Sequence, residues 1–392
     1  MKNTPLGNLS AAEFLRDYWQ KQPLLIRNAI ADFSSPLSAD ELAGLACDLD
    51  VESRIILEKE GNHPWECRHG PFEENDFSNL PASHWTLLVQ ECNKHMLEIA
   101  LLMDRFNFIP NWRVDDVMVS YAPEHGSVGP HVDQYDVFLL QGLGRRRWQI
   151  HTQPVDESEF IPDLDLRILK QFVAEEEWIL NPGDMLYLPP GVAHHGVALE
   201  DAITLSIGFR APSYAELITS FVEHRLSHLE TELVTPRYHD PDLQLQQHPG
   251  EIPASILSKI DNLIKNELNQ TDNINRWFGA FATEPKHAPL DPLYPEITVL
   301  KFLQEFQQYG ILYRSEYSRF SFIRLKEQDV YLYIDSEEIK LAEPLHDLAA
   351  LICDNRQYRY EDFQDRLKNP AVAEFFTRLT NAGKLWFVEN GL

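Results

Sequence analysis

Between residues 112 and 210 the chain alternates short apolar runs with glycine and proline, and this punctuation leaves few folds open. The runs "WRVDDVMVSYA", "DVFLLQGLGRRRWQIHT", "EEWILNPGDMLYLPPG" and "AITLSIGFR" show period-2 alternation or β-branched content, and turn residues separate them. Strands of this length joined by tight turns close into an antiparallel sandwich or barrel. The segment is therefore expected to be a mainly β domain.

The flanks read differently. "SAAEFLRDYWQ" (10–20) opens with Ser10, and Glu13 follows three positions later as a capping-box helix start. "PLLIRNAI" reads as a short buried strand, 38–48 as a short helix and "ESRIILEKEG" as a strand. Apolar residues at helical spacing predict one long amphipathic helix over 87–106. Helical spacing returns over 213–233; a polar, proline-containing connection spans 235–253, and two more helices follow. From Pro285 onward, mixed helix and aromatic-rich strand material suits a winged-helix-like module.

Within the β segment, "GPHVDQYDVF" places His131 and Asp133 at i and i+2 on a strand, so both side chains project to one face and can reach one ion. An H-x-D pair alone is weak. Support comes about sixty residues on, in "NPGDMLYLPPGVAHHGV", where a strand, a Pro189–Val192 turn and a returning strand can bring a histidine beside the pair. Two histidines and one carboxylate with open positions form the ligand set of non-haem Fe(II) oxygenases. His194 and His195 point to opposite strand faces, and periodicity does not choose between them. In "GLGRRRWQIH", alternation puts Arg146 and Trp148 on one face, with Arg145 and Arg147 on the other as an exposed basic edge. A buried arginine needs a carboxylate partner, and the fork of Arg146 suits the far carboxylate of 2-oxoglutarate.

Charge narrows the partners. The chain of 392 residues carries a formal net charge of −27, which repels nucleic-acid phosphates and favours basic partners. The segment from Pro285 holds 13 Lys and Arg against 17 Asp and Glu, so it lacks the basic face of a nucleic-acid-binding winged helix. Four scattered cysteines (Cys47, Cys67, Cys92, Cys353) without a CxxC pair point to a reducing compartment. There is no basic start with an apolar run and no apolar stretch of about 20 residues, so a cytoplasmic chain with no membrane partner is expected.

These stretches, together with "YWQKQPLLIRNA" and "GKLWFVENG", resemble the bacterial JmjC-domain (cupin-type) 2-oxoglutarate-dependent ribosomal oxygenases, from about residue 10 to the C-terminus and most strongly between 105 and 213. The resemblance implies a double-stranded β-helix catalytic domain with an N-terminal extension (1–212), an α-helical dimerisation region (213–284) and a C-terminal α+β winged-helix-like domain (285–392). It implies that His131, Asp133 and His194 bind Fe(II) and that Arg146 holds 2-oxoglutarate, with His194 preferred over His195 because it lies two residues before Gly196. Relatives supply a serine near the cosubstrate from the loop before the metal strand, whereas this chain has Ala122 there; Ser120, a backbone group or Thr204 is expected to take that role.

The implied activity is hydroxylation, using O2, of a basic large-subunit ribosomal protein by a homodimeric enzyme, with arginine as the expected target. Asp115, Asp116 and Tyr135 are the candidates for receiving it. The −27 charge steers a basic substrate. The competing readings are the same iron chemistry on histidine or another substrate, and a non-catalytic metal-binding cupin that serves as an assembly factor.

Overall fold

The computed structural model describes residues 4–59, 64–164, 166–230, 237–245, 247–269, 271–286, 295–325 and 329–387. The chain divides into two compact units, Met1–Ala211 and Pro212–Leu392.

The first unit is built on β1 (Leu24–Ile26), β2 (Ser53–Glu58), β3 (Trp65–His69), β4 (Trp85–Val89), β5 (Val114–Ala122), β6 (His131–Val132), β7 (Asp136–Leu143), β8 (Arg146–His151), β9 (Glu176–Leu180), β10 (Met185–Leu188), β11 (Ala193–Ala198) and β12 (Ala202–Phe209). They form an eight-stranded sheet, ordered β1-β10-β7-β12-β5-β4-β2-β3, and a four-stranded sheet, ordered β6-β11-β8-β9. From β5 to β12 the chain passes between the sheets, with β5, β7, β10 and β12 in the larger and β6, β8, β9 and β11 in the smaller. This is the double-stranded β-helix that the resemblance implies, an antiparallel β architecture of the kind the strand pattern predicts.

The larger sheet is buried on both faces. Ile203, Leu205, Ile207 and Phe209 of β12 join Phe138, Leu140, Val117 and Val119 in a core with Phe14, Leu42, Ile99 and Phe106 of the N-terminal helices and turns. On the other face, Val137 and Leu139 meet Trp148, Ile150 and Leu180 of the smaller sheet. Every residue of "AITLSIGF" is consequently buried, which explains its nearly unbroken apolar character.

The short helices begin where their caps predict. Ser10 and Glu13 form a reciprocal capping box on helix Ala11–Asp17, and Ser38 and Glu41 do the same on Ala39–Ala46. The expected long helix over 87–106 does not form. Leu87–Val89 belong to β4, which pairs with β2 and β5; Glu91 takes a left-handed backbone, and only short helices follow at Cys92–His95 and Leu97–Met103. A continuous apolar run satisfies strand and helix periods alike, and here two neighbouring strands decide the outcome.

In the second unit, helices Tyr214–Glu230, Ala254–Leu268 and Thr271–Ala282 precede an α+β module. Trp277 donates its indole N–H to Ser220 at 3.2 Å, and Arg225 pairs with Glu267 at 2.8 Å. Helix Thr271–Ala282 also lies on the sheet Phe320–Arg324, Val330–Ile334 and Glu337–Lys340, where Gly279 leaves no room for a Cβ against the Tyr333 ring. A second sheet (Gln357–Arg359, Ile311–Arg314, Leu385–Phe387) packs with helices Val299–Tyr309 and Pro370–Asn381 around Phe302, Phe306 and Phe376. Among the described residues, no helix is long and apolar enough to cross a membrane.

Candidate metal centre

β6 and β11 pair so that His131 lies directly opposite His194 and Val132 opposite Ala193. Cross-strand partners project to the same face, so the register itself brings the two imidazoles together, with ring centroids 4.2 Å apart. Asp133 follows immediately after β6, and its carbonyl accepts the N–H of Gly191 at 2.8 Å, which ties it to the β10–β11 turn. Gly191 occupies the left-handed region (φ +86°) that this turn needs. The Asp133 carboxylate stands 3.7 Å from His194 Nε2 and 4.0 Å from His131 Nε2. Among the described residues, His131, Asp133 and His194 are the group of metal-ligating side chains whose ligand atoms converge, all within 4.8 Å of one another.

Each ring is oriented from behind. His131 Nδ1 lies 2.9 Å from the Gly129 carbonyl and His194 Nδ1 3.0 Å from the Val192 carbonyl. A carbonyl only accepts, so both Nδ1 atoms carry the proton and both Nε2 lone pairs face Asp133. Burial, reinforced by the neighbouring His131, holds His194 down at about 4, so its ring is neutral near pH 7. Two imidazoles and a carboxylate on one side of a pocket suit a divalent transition ion. His195 lies on the opposite face of β11, where its ring meets Phe172 edge-on at 5.9 Å.

The same wall carries the arginine. Along β8 and β11, Ile150 faces His194, Trp148 faces Gly196 and Arg146 faces Ala198. Gly196 is required there, because a Cβ would stand 2.6 Å from the Trp148 indole. Arg146 is 2% exposed, and its Nε and Nη2 have no hydrogen-bond partner among the described residues. Burial alone lowers its guanidinium to about 10. An unpaired cation is costly in such a place, which marks the pocket as built for an anion. Arg145 behaves as an exposed edge residue paired with Glu200, whereas Arg147 is half-buried.

Ser120 and Thr204 are register partners on β5 and β12, both buried, on the face opposite the Val119, Leu205 and Ile203 core. Their hydroxyls are engaged: Ser120 donates to the Thr204 carbonyl at 3.4 Å and Thr204 to Gln141 Oε1 at 3.1 Å. A β-bulge sets Asp115 and Asp116 together between the pairs Ile207–Val117 and Phe209–Val114. Asp116 is buried and accepts the Glu91 N–H at 3.3 Å. Tyr135 is half-exposed (43%), and its hydroxyl is pushed up by burial and then by the charges of Asp133 and Asp116, with Arg54 opposing. Asp133 and Asp116 thus both lie close enough to act on the Tyr135 hydroxyl. Sequence reasoning passed over Arg54, whose buried Nε has no partner among the described residues, and it placed Trp148 on the face of Arg146 without giving a role to its indole N–H, which is likewise unpaired.

A double-stranded β-helix with such a cluster inside is the scaffold of the JmjC class, and the JmjC domain model matches residues 101–217, with a ROXA-like winged helix model matching 263–385. The ribosomal protein uL16 3-hydroxylase of Escherichia coli K12 is 36% identical over 386 residues, spanning 97% of this chain and 98% of that protein. A probable ribosomal oxygenase of Haemophilus influenzae is 36% identical over 68% of this chain and 66% of its own length. The crystal structure of E. coli YcfD superposes with a TM-score of 0.85 at 35% identity, covering 97% of this chain and 99% of that one. A YcfD complex with cobalt and 2-oxoglutarate gives 0.83 at 35% identity and the same coverage. The chain belongs to the JmjC-domain ribosomal oxygenases.

Proposed function

We propose that this protein is an Fe(II)- and 2-oxoglutarate-dependent hydroxylase that modifies an arginine of a large-subunit ribosomal protein. The observation that carries the reading is the pairing, on one wall, of the His131–Asp133–His194 cluster with the buried and unpartnered Arg146. A scaffold that only binds metal has no use for that second feature, which disfavours the assembly-factor alternative.

His131 and His194 would bind iron through Nε2 and Asp133 through its carboxylate, leaving the remaining positions open. Iron held there, with 2-oxoglutarate and O2, supplies oxygen insertion into an unactivated C–H bond, with succinate and CO2 as the other products. Arg146 would take the far carboxylate on its Nε–Nη2 edge, which fixes the cosubstrate along the wall. Gly196 leaves room for the Trp148 indole beside His194, and Ile150, Val192 and Leu188 pack around that indole as an apolar wall. Asp133 must stay ionised and both histidines neutral, so activity should fall at acid pH.

Its likeness to a ribosomal protein uL16 3-hydroxylase and to a probable ribosomal oxygenase supports a ribosomal protein as substrate. The net charge of −27 favours such a basic partner over nucleic acid. Tyr135 and Asp116, grouped beside Asp133, offer an aromatic face and an anion to an incoming guanidinium. Exposed Ile218 and Leu226 on one helix and Leu257 and Ile264 on the next support a second copy of the chain as their cover. The cytoplasm, where ribosomal proteins are found, suits this reading.

The test is to incubate the enzyme aerobically with iron, 2-oxoglutarate and purified large-subunit ribosomal proteins, then map modifications by mass spectrometry. One added oxygen on one arginine, absent with His131→Ala, is expected. Oxygen on a histidine would redirect the target, and no modification with full cosubstrate turnover would remove the ribosomal substrate.

A further inference from the structure

Thr86 is a polar side chain in the first unit for which nothing so far accounts. It is wholly buried (0%), and its hydroxyl has no hydrogen-bond partner among the described residues. A buried hydroxyl left unpaired is destabilising, and valine would fill the same space on a strand without that cost. Such a group calls for an explanation in terms of something that arrives later.

Register locates the hydroxyl. On β4, Leu87 and Val89 enter the core beneath the large sheet, while Leu88 points to the other face with Ile56 and Met118. Alternation puts Thr86 on the face of Leu88, inside the β-helix. The pairs Leu87–Tyr121 and Leu88–Ser120 continue to place Thr86 beside Ala122, which is opposite Ala202 on β12. Ala122, Ala202 and Ala198 touch one another where the two sheets meet, and Ala198 is the partner of Arg146. The unpaired hydroxyl and the unpaired arginine edge therefore lie at the same end of the β-helix. The alanines between them supply methyl groups and no donor.

We infer that Thr86 is a positioning residue for the cosubstrate, its hydroxyl donating a hydrogen bond to the far carboxylate of the 2-oxo diacid held by Arg146. The inference rests on the 2-oxoglutarate reading above. Two parallel N–H donors from Nε and Nη2 occupy one lone pair on each carboxylate oxygen, and the remaining pairs need donors in a pocket that excludes water. Thr86 supplies one from the large sheet, so that the two sheets hold the carboxylate between them.

The test uses the full chain loaded with Co(II), compared as wild type, Thr86→Val and Thr86→Ser. Calorimetry reads the affinity for 2-oxoglutarate and for 2-oxobutanoate, which keeps the chelating end and lacks the far carboxylate. Thermal melting of the metal-free protein reads stability. Thr86→Val should weaken 2-oxoglutarate binding by about tenfold or more, leave 2-oxobutanoate unchanged and raise the melting temperature. Thr86→Ser should restore the diacid affinity. Equal affinity of wild type and Thr86→Val for the diacid, or an equal loss for both acids, overturns the inference. Failure of the wild type to take up 2-oxoglutarate with Co(II) overturns the cosubstrate reading itself, and the inference with it.

Discussion

His131 and His194 face each other across the β6–β11 ladder, and each gives its Nδ1 proton to a carbonyl of its own chain segment, at Gly129 and Val192. The two Nε2 atoms are thereby turned toward Asp133 by contacts within the protein. Preorganisation of this kind lowers the cost of ordering ligands when a metal enters.

Because His194 lies on the inner face of β11 and His195 on the outer, the two adjacent histidines should differ completely. His194→Ala is expected to weaken Co(II) binding by more than about a hundredfold, beyond the loss typical of an outer partner of a metal ligand. His195→Ala should leave it within a few-fold of wild type. Titration of both variants with Co(II), followed by visible absorption, checks this.

Arg146 carries a buried charge without a counter-ion, so its removal should separate stability from binding. Arg146→Met is expected to leave the metal-free protein as stable as wild type or more so, by about 1–4 kcal/mol. It should abolish measurable 2-oxoglutarate binding while Co(II) still binds. Denaturant unfolding and calorimetry give the two readings.

Much of the first unit was legible because β-strands announce themselves by alternation, and the metal pair by its i, i+2 spacing. What periodicity leaves open is which apolar run pairs with which. The stretch 87–106 satisfied a helix pattern, yet β2 and β5 claim Leu87–Val89. Alternation alone left His194 and His195 open; the resemblance favoured His194, and the β6–β11 register sets it opposite His131, while Thr86 becomes visible only through the β4–β5 ladder. "HVDQYD" likewise offers two aspartates. Asp133 goes to the metal cluster, whereas Asp136 is wholly buried and accepts from Tyr187 at 2.6 Å and Gln20 at 2.9 Å, beside Arg113 at 3.1 Å. The i, i+2 spacing singles out Asp133, whereas the core role of Asp136 shows only in its partners distant in sequence.

Gly196 faces the Trp148 indole so closely that a methyl group would stand 2.6 Å from it. Gly196→Ala should destabilise the protein by about 1–3 kcal/mol, as overpacking does, and displace the indole from beside His194. Melting temperature and the intrinsic tryptophan spectrum should both change.

Asp184 holds the chain after β1 to the turn before β10. Burial pushes its carboxyl up, but N–H donors from Asn181 and Asn28 and the Arg27 guanidinium outweigh it, so the group sits below the usual carboxylate range. A carboxyl whose folded value is below its unfolded one stabilises the protein above the unfolded value, near 4, and loses that contribution as pH falls through the folded value. Asp184→Asn should therefore destabilise at pH 7 by about 1–3 kcal/mol and flatten the acid side of the stability profile below about pH 4. Urea unfolding across pH 2–7 checks the sign.

The most direct test of the account is a crystal structure of this chain with Co(II) and 2-oxoglutarate, the metal located by its anomalous signal. The account predicts one ion bound by His131 Nε2, Asp133 and His194 Nε2, with the far carboxylate on the Nε–Nη2 edge of Arg146. Metal held through His195, or a cosubstrate carboxylate away from Arg146, would contradict it.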